Sequence, residues 1–134
     1  MIAAIVLHFL WPVAIVVHYP YTLAGIPVLI LGLMLNGQAN TIMKEYHTTL
    51  LPYKKPSRLI EEGPFRHSRN PIYLGSYLIF LGIALLLGSV VALLGPIILF
   101  VTLDVVFIRQ EEKTLEATFG QAYLDYKRRV RRWL

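Results

Sequence analysis

The sequence predicts an all-α integral membrane protein with about four transmembrane helices, arranged as two hairpins plus a C-terminal amphipathic helix. Three observations lead there. The 134 residues are 56% hydrophobic and only 16% charged, with a mean hydropathy of +0.57, too apolar for an ordinary soluble domain. Residues 1–43 contain no Asp, Glu, Lys or Arg, and residues 71–108 contain only Asp104. A span needs about 20 apolar residues, so each stretch can supply a hairpin.

The first hairpin, residues 1–43, divides at "HYPYTLAGIP". There Pro20 breaks the helix, and His18, Tyr19 and Tyr21 suit the headgroup layer. His8 and Trp11 read as packing residues. The apolar opening has no basic leader and no small-residue cleavage site after it, so it is expected to remain as an anchor. Residues 44–70 form a polar loop. The second hairpin, residues 71–108, turns at Gly88-Ser89 or at Gly95-Pro96. The former is preferred because it leaves Pro96 early in the fourth helix, where a missing N–H is tolerable. In residues 109–134, Leu115, Phe119, Ala122, Tyr123, Tyr126 and Val130 recur at helical spacing among charges, the pattern of a helix folded back on the membrane or the core.

Lys44, Lys54, Lys55, Arg58, Arg66 and Arg69 lie between the hairpins, and every other Lys or Arg lies in the tail. By the positive-inside rule both polar segments and both termini are expected in the cytoplasm. The net charge of +5 therefore reads as topology and attraction to anionic lipid, with no nucleic-acid partner. Without cysteine there is no disulfide, thiolate metal site or cysteine nucleophile. No His pair has metal-ligand spacing beside a carboxylate, so no metal is expected. His47 and His67 are loop residues, and Asp104, with Asn36 or Asn40 as possible partners, is read as structural.

Chemistry concentrates in two places. In "SRLIEEGPFRHSRNPIYLG" a turn at Gly63-Pro64 leads to Asn70, which can cap the helix opened by Pro71. The freed N–H groups and the dipole stand beside Arg69, an arrangement that binds anions. Separately, these residues are a turn, headgroup anchors and a helix start. In "IRQEEKTLEATFGQAYLDYKRRVRRW" the paired carboxylates Glu111 and Glu112 offer the opposite charge. Alone they read as a solvated first turn. Brought together by the second hairpin, the two clusters could hold a zwitterion with separate carboxylate and ammonium groups.

These two segments resemble the isoprenylcysteine carboxyl methyltransferase family and the related phospholipid N-methyltransferases. "LIEEGPFRHSRNPIYLG" is similar to the family's Gly-x-x-x-x-x-Arg-His/Asn-Pro-x-Tyr-x-Gly element, and "EEKTLEATFGQAYLDYKRRV" to its Glu-Glu-x-x-Leu tail with Phe-Gly-x-x-Tyr-x-x-Tyr. The likeness covers roughly residues 48–134, and two motifs in order are more specific than either alone. It implies a methyltransferase using S-adenosyl-L-methionine at the cytoplasmic mouth of the helices, without a Rossmann domain. The cofactor residues it implies are Ser57, Arg58, Leu59, Ile60, Phe65, Asn70, Pro71, Ile72, Tyr73 and Glu111. Phe65 and Tyr73 would pack on the adenine or the sulfonium, Glu111 would take the ammonium, and the Pro71 helix start would take the carboxylate. Arg69 and Glu112 are the candidate catalytic residues, Arg69 orienting an anionic group and Glu112 supporting it.

The sequence departs from the family pattern where Asn70 replaces a usual His before the proline. It departs again where Phe107 replaces a substrate-binding Arg four residues before Glu111, with Arg109 about 200° further round the helix. The expected partners are the lipid bilayer and an amphiphilic or prenylated acceptor. The expected acceptor group is a carboxylate giving a methyl ester, and phospholipid N-methylation is the alternative, for which Glu112 or His67 would serve as base. A nicotinamide-dependent membrane reductase, whose C-terminal motif region is similar, and a non-catalytic membrane subunit are the remaining classes.

Overall fold

The computed structural model describes residues 6, 15–47 and 56–134 and is helical, with no strand among them beyond an isolated bridge between Ile15 and Ser89. A single 3-10 turn, Tyr21–Ala24, runs into helix α1, Gly25–Glu45. After the polar loop come a 3-10 turn, Gly63–Arg66, and helix α2, Pro71–Leu87. Helix α3, Val90–Thr102, continues through a π-helical stretch, Leu103–Ile108, into α4, Arg109–Phe119, and Gly120 separates this from α5, Gln121–Arg129. Among the described residues two helices are long and apolar enough to cross a membrane, Tyr21–Glu45 and Val90–Phe119, and Pro71–Leu87 is apolar but shorter. The span expected before Pro20 falls almost wholly outside the described residues, so the four-span count rests on sequence. Outward-facing Ile30, Leu31, Met34, Ile97, Ile98 and Val101 are exposed large hydrophobics, the surface a lipid-facing helix presents.

The chain forms two compact units, residues 1–34 with 75–102, and residues 35–74 with 103–134. In the first, α1 and α2 run antiparallel with backbones close together. A Cβ on Gly32 would lie 2.7 Å from the Ile79 nitrogen, and one on Gly82 would lie 2.7 Å from the Leu29 nitrogen. Small residues at such crossings let helices approach in lipid, where dispersion replaces the hydrophobic drive. Helix α2 ends at Leu87, and Gly88 turns the chain with φ +69. The Gly88 carbonyl accepts the N–H groups of Val16 (2.9 Å) and Val17 (3.0 Å). The break thus falls at Gly88-Ser89, and Pro96 lies buried inside α3. Tyr77 on α2 meets Phe100 on α3 edge to face at 5.4 Å, so these helices pair as an antiparallel hairpin.

The second unit has a core of Ala39, Met43, Ile60 and Phe65, joined by Ile42, Tyr46 and Ile72. The expected junction at residues 108 and 109 is not a break, because the helix carries on to Phe119. The expected amphipathic tail is two helices split at Gly120, whose φ of +53 suits glycine. Of its apolar stripe, Tyr123 and Tyr126 are buried.

Candidate active site

The site is built within the second unit. Asn70 precedes Pro71, whose ring occupies the first helical position, where no N–H is needed. Asn70 does not cap α2 with its side chain. Its Nδ2 donates instead to the Arg132 carbonyl at 3.0 Å, while its backbone N–H donates to Ser68 Oγ at 3.1 Å. Ser68 Oγ in turn donates to the same Arg132 carbonyl at 3.2 Å, and the Arg69 N–H donates to the Arg131 carbonyl at 3.0 Å. Residues 131 and 132 thus lie along the first motif and satisfy its donors. Those donors lie next to the Pro71 helix start, to which the sequence assigned the cofactor carboxylate.

The two motifs meet at two contacts. Tyr73 Oη donates to Glu111 Oε1 at 2.6 Å, in the range of a strong phenol–carboxylate bond. The second carboxylate oxygen of Glu111 has no partner among the described residues. Arg69 Nη2 lies 3.1 Å from Glu112 Oε1, with side chains only 8% and 7% exposed. Arg132 grips the same carboxylate twice, from Nη2 at 2.7 Å and Nε at 3.1 Å, and its Nη1 reaches Asp104 at 3.1 Å. Arg69 Nη1 also donates to Tyr123 Oη at 3.4 Å, whereas Arg69 Nε is buried with no hydrogen-bond partner among the described residues.

A buried carboxylate between two guanidiniums is held in one geometry, since both its oxygens are engaged by cations. Arg132 is held firmly in its charged form, chiefly by the bond to Glu112. Tyr123 is pushed up to about 12, first by burial and then by the Glu112 charge. Burial also raises Tyr126, whose hydroxyl donates to the Phe65 carbonyl at 2.7 Å.

The remaining predicted residues are placed elsewhere in this unit. Ile60 and Phe65 belong to its core, and Pro71 is fully buried. Arg58 stacks on the Tyr46 ring at 4.3 Å, and Ser57 Oγ reaches the His47 carbonyl at 3.5 Å. Leu59 is half-buried, and Ile72 is half-buried with its carbonyl accepting from Asn36 Nδ2 at 3.2 Å. Asp104 does not pair with Asn36 or Asn40 but with Arg132 and, at 3.5 Å, with Arg109. Asn40 Nδ2 bonds the Asn36 carbonyl at 2.9 Å instead. Phe107, in place of the family's arginine, is exposed. The residue that sequence reasoning missed is Arg132. Nothing in the run Val130, Arg131, Arg132 and Trp133 singles it out, because the two arginines are adjacent and only the end of the last helix at Arg129 distinguishes them.

Of the two charged ends of S-adenosylmethionine, the cofactor the resemblance implies, the ammonium end is the one these residues could hold. Glu111 is an acid with a spare oxygen, anchored by a neutral phenol instead of a competing cation. No group of three or more His, Cys, Asp or Glu that could hold a metal occurs among the described residues.

A family model described as phospholipid methyltransferase matches residues 20–122, more than three quarters of the chain. No curated protein and no solved structure matches it. The match takes in the first motif, the second as far as Ala122 and both contacts that join them, and with its two span-length helices the chain is a membrane protein that belongs to the phospholipid methyltransferase family.

Proposed function

We propose that the chain transfers a methyl group from S-adenosylmethionine to the head of a membrane lipid, with a head-group amine as the leading acceptor. The observation that carries this reading is the Tyr73–Glu111 contact beside the Arg69–Glu112–Arg132 cluster, which joins two motifs some forty residues apart. The cofactor, when bound, supplies an electrophilic methyl group on a cationic sulfonium. Glu111 accepts hydrogen bonds from its ammonium, and Tyr73 holds that carboxylate in place and presents an aromatic face. Glu112 and its two arginines hold the motif segments in register, because orientation and exclusion of water are the main protein contributions to such a transfer.

Two findings favour an amine over the carboxylate expected from sequence. The matching family is described as acting on phospholipid. Arg69, assigned there to an anionic acceptor, spends its terminal nitrogens on Glu112 and Tyr123. An amine must lose a proton before it attacks. Of the two candidate bases, Glu112 has both oxygens engaged by guanidinium groups, while His67 is exposed and its imidazole makes no hydrogen bond among the described residues. The carboxylate reading keeps one support, the buried Arg69 Nε that lacks an acceptor.

The test supplies radiolabelled S-adenosylmethionine and membrane lipid extract to protein in detergent. Label in an organic-soluble product that survives mild base supports N-methylation. Label released by base as volatile methanol assigns a methyl ester. Binding of NADPH with no binding of S-adenosylmethionine makes the protein a reductase.

A further inference from the structure

A second feature of the same unit is not used by the chemistry above. A cavity of about 420 Å³ opens beside the 3-10 turn. Its lining combines four hydrogen-bonding side chains, Gln38, Arg66, His67 and Ser68, with three leucines, Leu35, Leu74 and Leu134. That size falls in the range of small-molecule sites, roughly 300–1,000 Å³, and suits the head and glycerol region of a lipid but not its chains.

The turn that carries Arg66 and His67 is fixed in advance. Pro64 and Phe65 are buried beneath it, the Pro64 carbonyl accepts the N–H groups of His67 (3.1 Å) and Ser68 (3.2 Å), and Tyr126 holds the Phe65 carbonyl. Groups held this way lose little freedom when a ligand arrives. The positive charge of Arg66 is also uncommitted. The nearby acids are engaged elsewhere, Glu61 by Arg129 at 2.6 Å and Glu62 by Tyr46 at 2.9 Å, while the side chains of Arg66 and His67 make no hydrogen bond or ion pair among the described residues. Arg69, three residues on, differs in having its charge matched by Glu112.

We propose that this cavity binds the phosphodiester of a membrane phospholipid, with Arg66, His67 and Gln38 donating to phosphate oxygens and the leucines lying against the glycerol and upper acyl region. A guanidinium fork with further N–H donors matches a phosphate oxyanion, and the apolar remainder of the lining selects an amphiphile over a free ion. Ser68 lines the cavity and is bonded to the Arg132 carbonyl, so its wall is continuous with the cluster around Glu112. The identification of this lipid as the acceptor rests on the proposed methyl transfer. The binding itself does not.

The experiment therefore omits the cofactor. Protein in nanodiscs of choline lipid is doped with a phosphatidylethanolamine carrying a diazirine near the glycerol, irradiated, and the adducts are mapped by mass spectrometry. Adducts concentrated on residues 63–68 and 134, reduced about fivefold or more by Arg66→Glu and partly kept by Arg66→Lys, are the expected result. Even labelling of lipid-facing helices, indifferent to Arg66→Glu, overturns the proposal. Loss of the adducts on adding millimolar inorganic phosphate assigns the cavity to a free anion and overturns the lipid assignment. Calorimetry with S-adenosylhomocysteine on the same variants separates the two readings. The Arg66 variants keep wild-type cofactor affinity while KM for the lipid rises about tenfold with little change in kcat. A wild type that labels as expected but binds no S-adenosylhomocysteine leaves this site standing and removes the methyltransferase reading.

Discussion

Replacing Arg69 with methionine takes a guanidinium away from a carboxylate that water does not reach. Glu112 is 7% exposed and Arg69 8%, with 3.1 Å between them, so solvent can compensate little of the loss. Breaking such a pair by removing one partner costs about 3–5 kcal/mol, mostly from the uncompensated charge left behind. Here Arg132 remains on Glu112 at 2.7 Å, which places the expected cost at the lower end, about 3 kcal/mol. Arg132 is 32% exposed, so Arg132→Met is screened and costs less, about 1–2 kcal/mol, although it also frees Asp104. Glu112→Gln removes the shared charge, after which Arg69→Met has less left to lose. The two changes should therefore couple by at least about 1 kcal/mol. Equilibrium unfolding in mixed micelles titrated with SDS, followed by circular dichroism and by tryptophan fluorescence, measures all four corners of the cycle. Coincident transitions by the two probes license the two-state treatment. Additivity of Arg69→Met and Glu112→Gln within about 0.5 kcal/mol would refute the claim that this pair is a buried, coupled unit.

Other consequences can be measured in the same preparations. Gly82→Leu should lower stability by about 1–3 kcal/mol or more, because the new side chain meets the α1 backbone. Gly37→Ala, with nothing within 4 Å of its Cβ, should raise the unfolding midpoint through helix propensity, so equal effects of the two would remove the close-crossing account. Tyr123, raised from 10.0 to about 12 on folding, holds its proton in the native state at pH values where the unfolded chain has lost it. Its contribution is thus complete below pH 10 and lost as pH climbs toward 12. Tyr123→Phe should flatten that alkaline decline in the unfolding midpoint, and an unchanged slope would mean that Tyr123 is not the titrating group.

The helices were legible because lipid requires long uncharged runs, and the second turn because glycine followed by serine interrupts such a run at the right length. The meeting of Arg69 with Glu112 was legible as charge complementarity between two motif segments, whereas the Tyr73–Glu111 bond emerges only from the fold, since sequence alone assigns each residue to a different part of the cofactor. Arg132 was not legible either, since four arginines in "RRVRRW" are equivalent until the end of α5 at Arg129 decides which one turns inward. Asp104 is assigned an amide partner, Asn36 or Asn40, because those are polar groups of the first hairpin, whereas its cation is Arg132 of the tail. Phe65 was read as a cofactor-stacking ring, and the structure gives that ring to the core beside Ala39 and Met43. An aromatic residue serves either role, and only the burial of its neighbours distinguishes them.

In the proposed reaction the acid held by Tyr73 receives the ammonium of S-adenosylmethionine. Calorimetry of S-adenosylhomocysteine against wild type, Glu111→Gln and Tyr73→Phe tests it without needing the acceptor. A hydrogen bond to a charged group contributes roughly 1.5–3 kcal/mol, so Glu111→Gln should weaken binding about tenfold or more, and Tyr73→Phe, which only loosens the carboxylate, by less. Unchanged affinity in a folded Glu111→Gln variant, or a wild type that binds NADPH in place of S-adenosylhomocysteine, would contradict it.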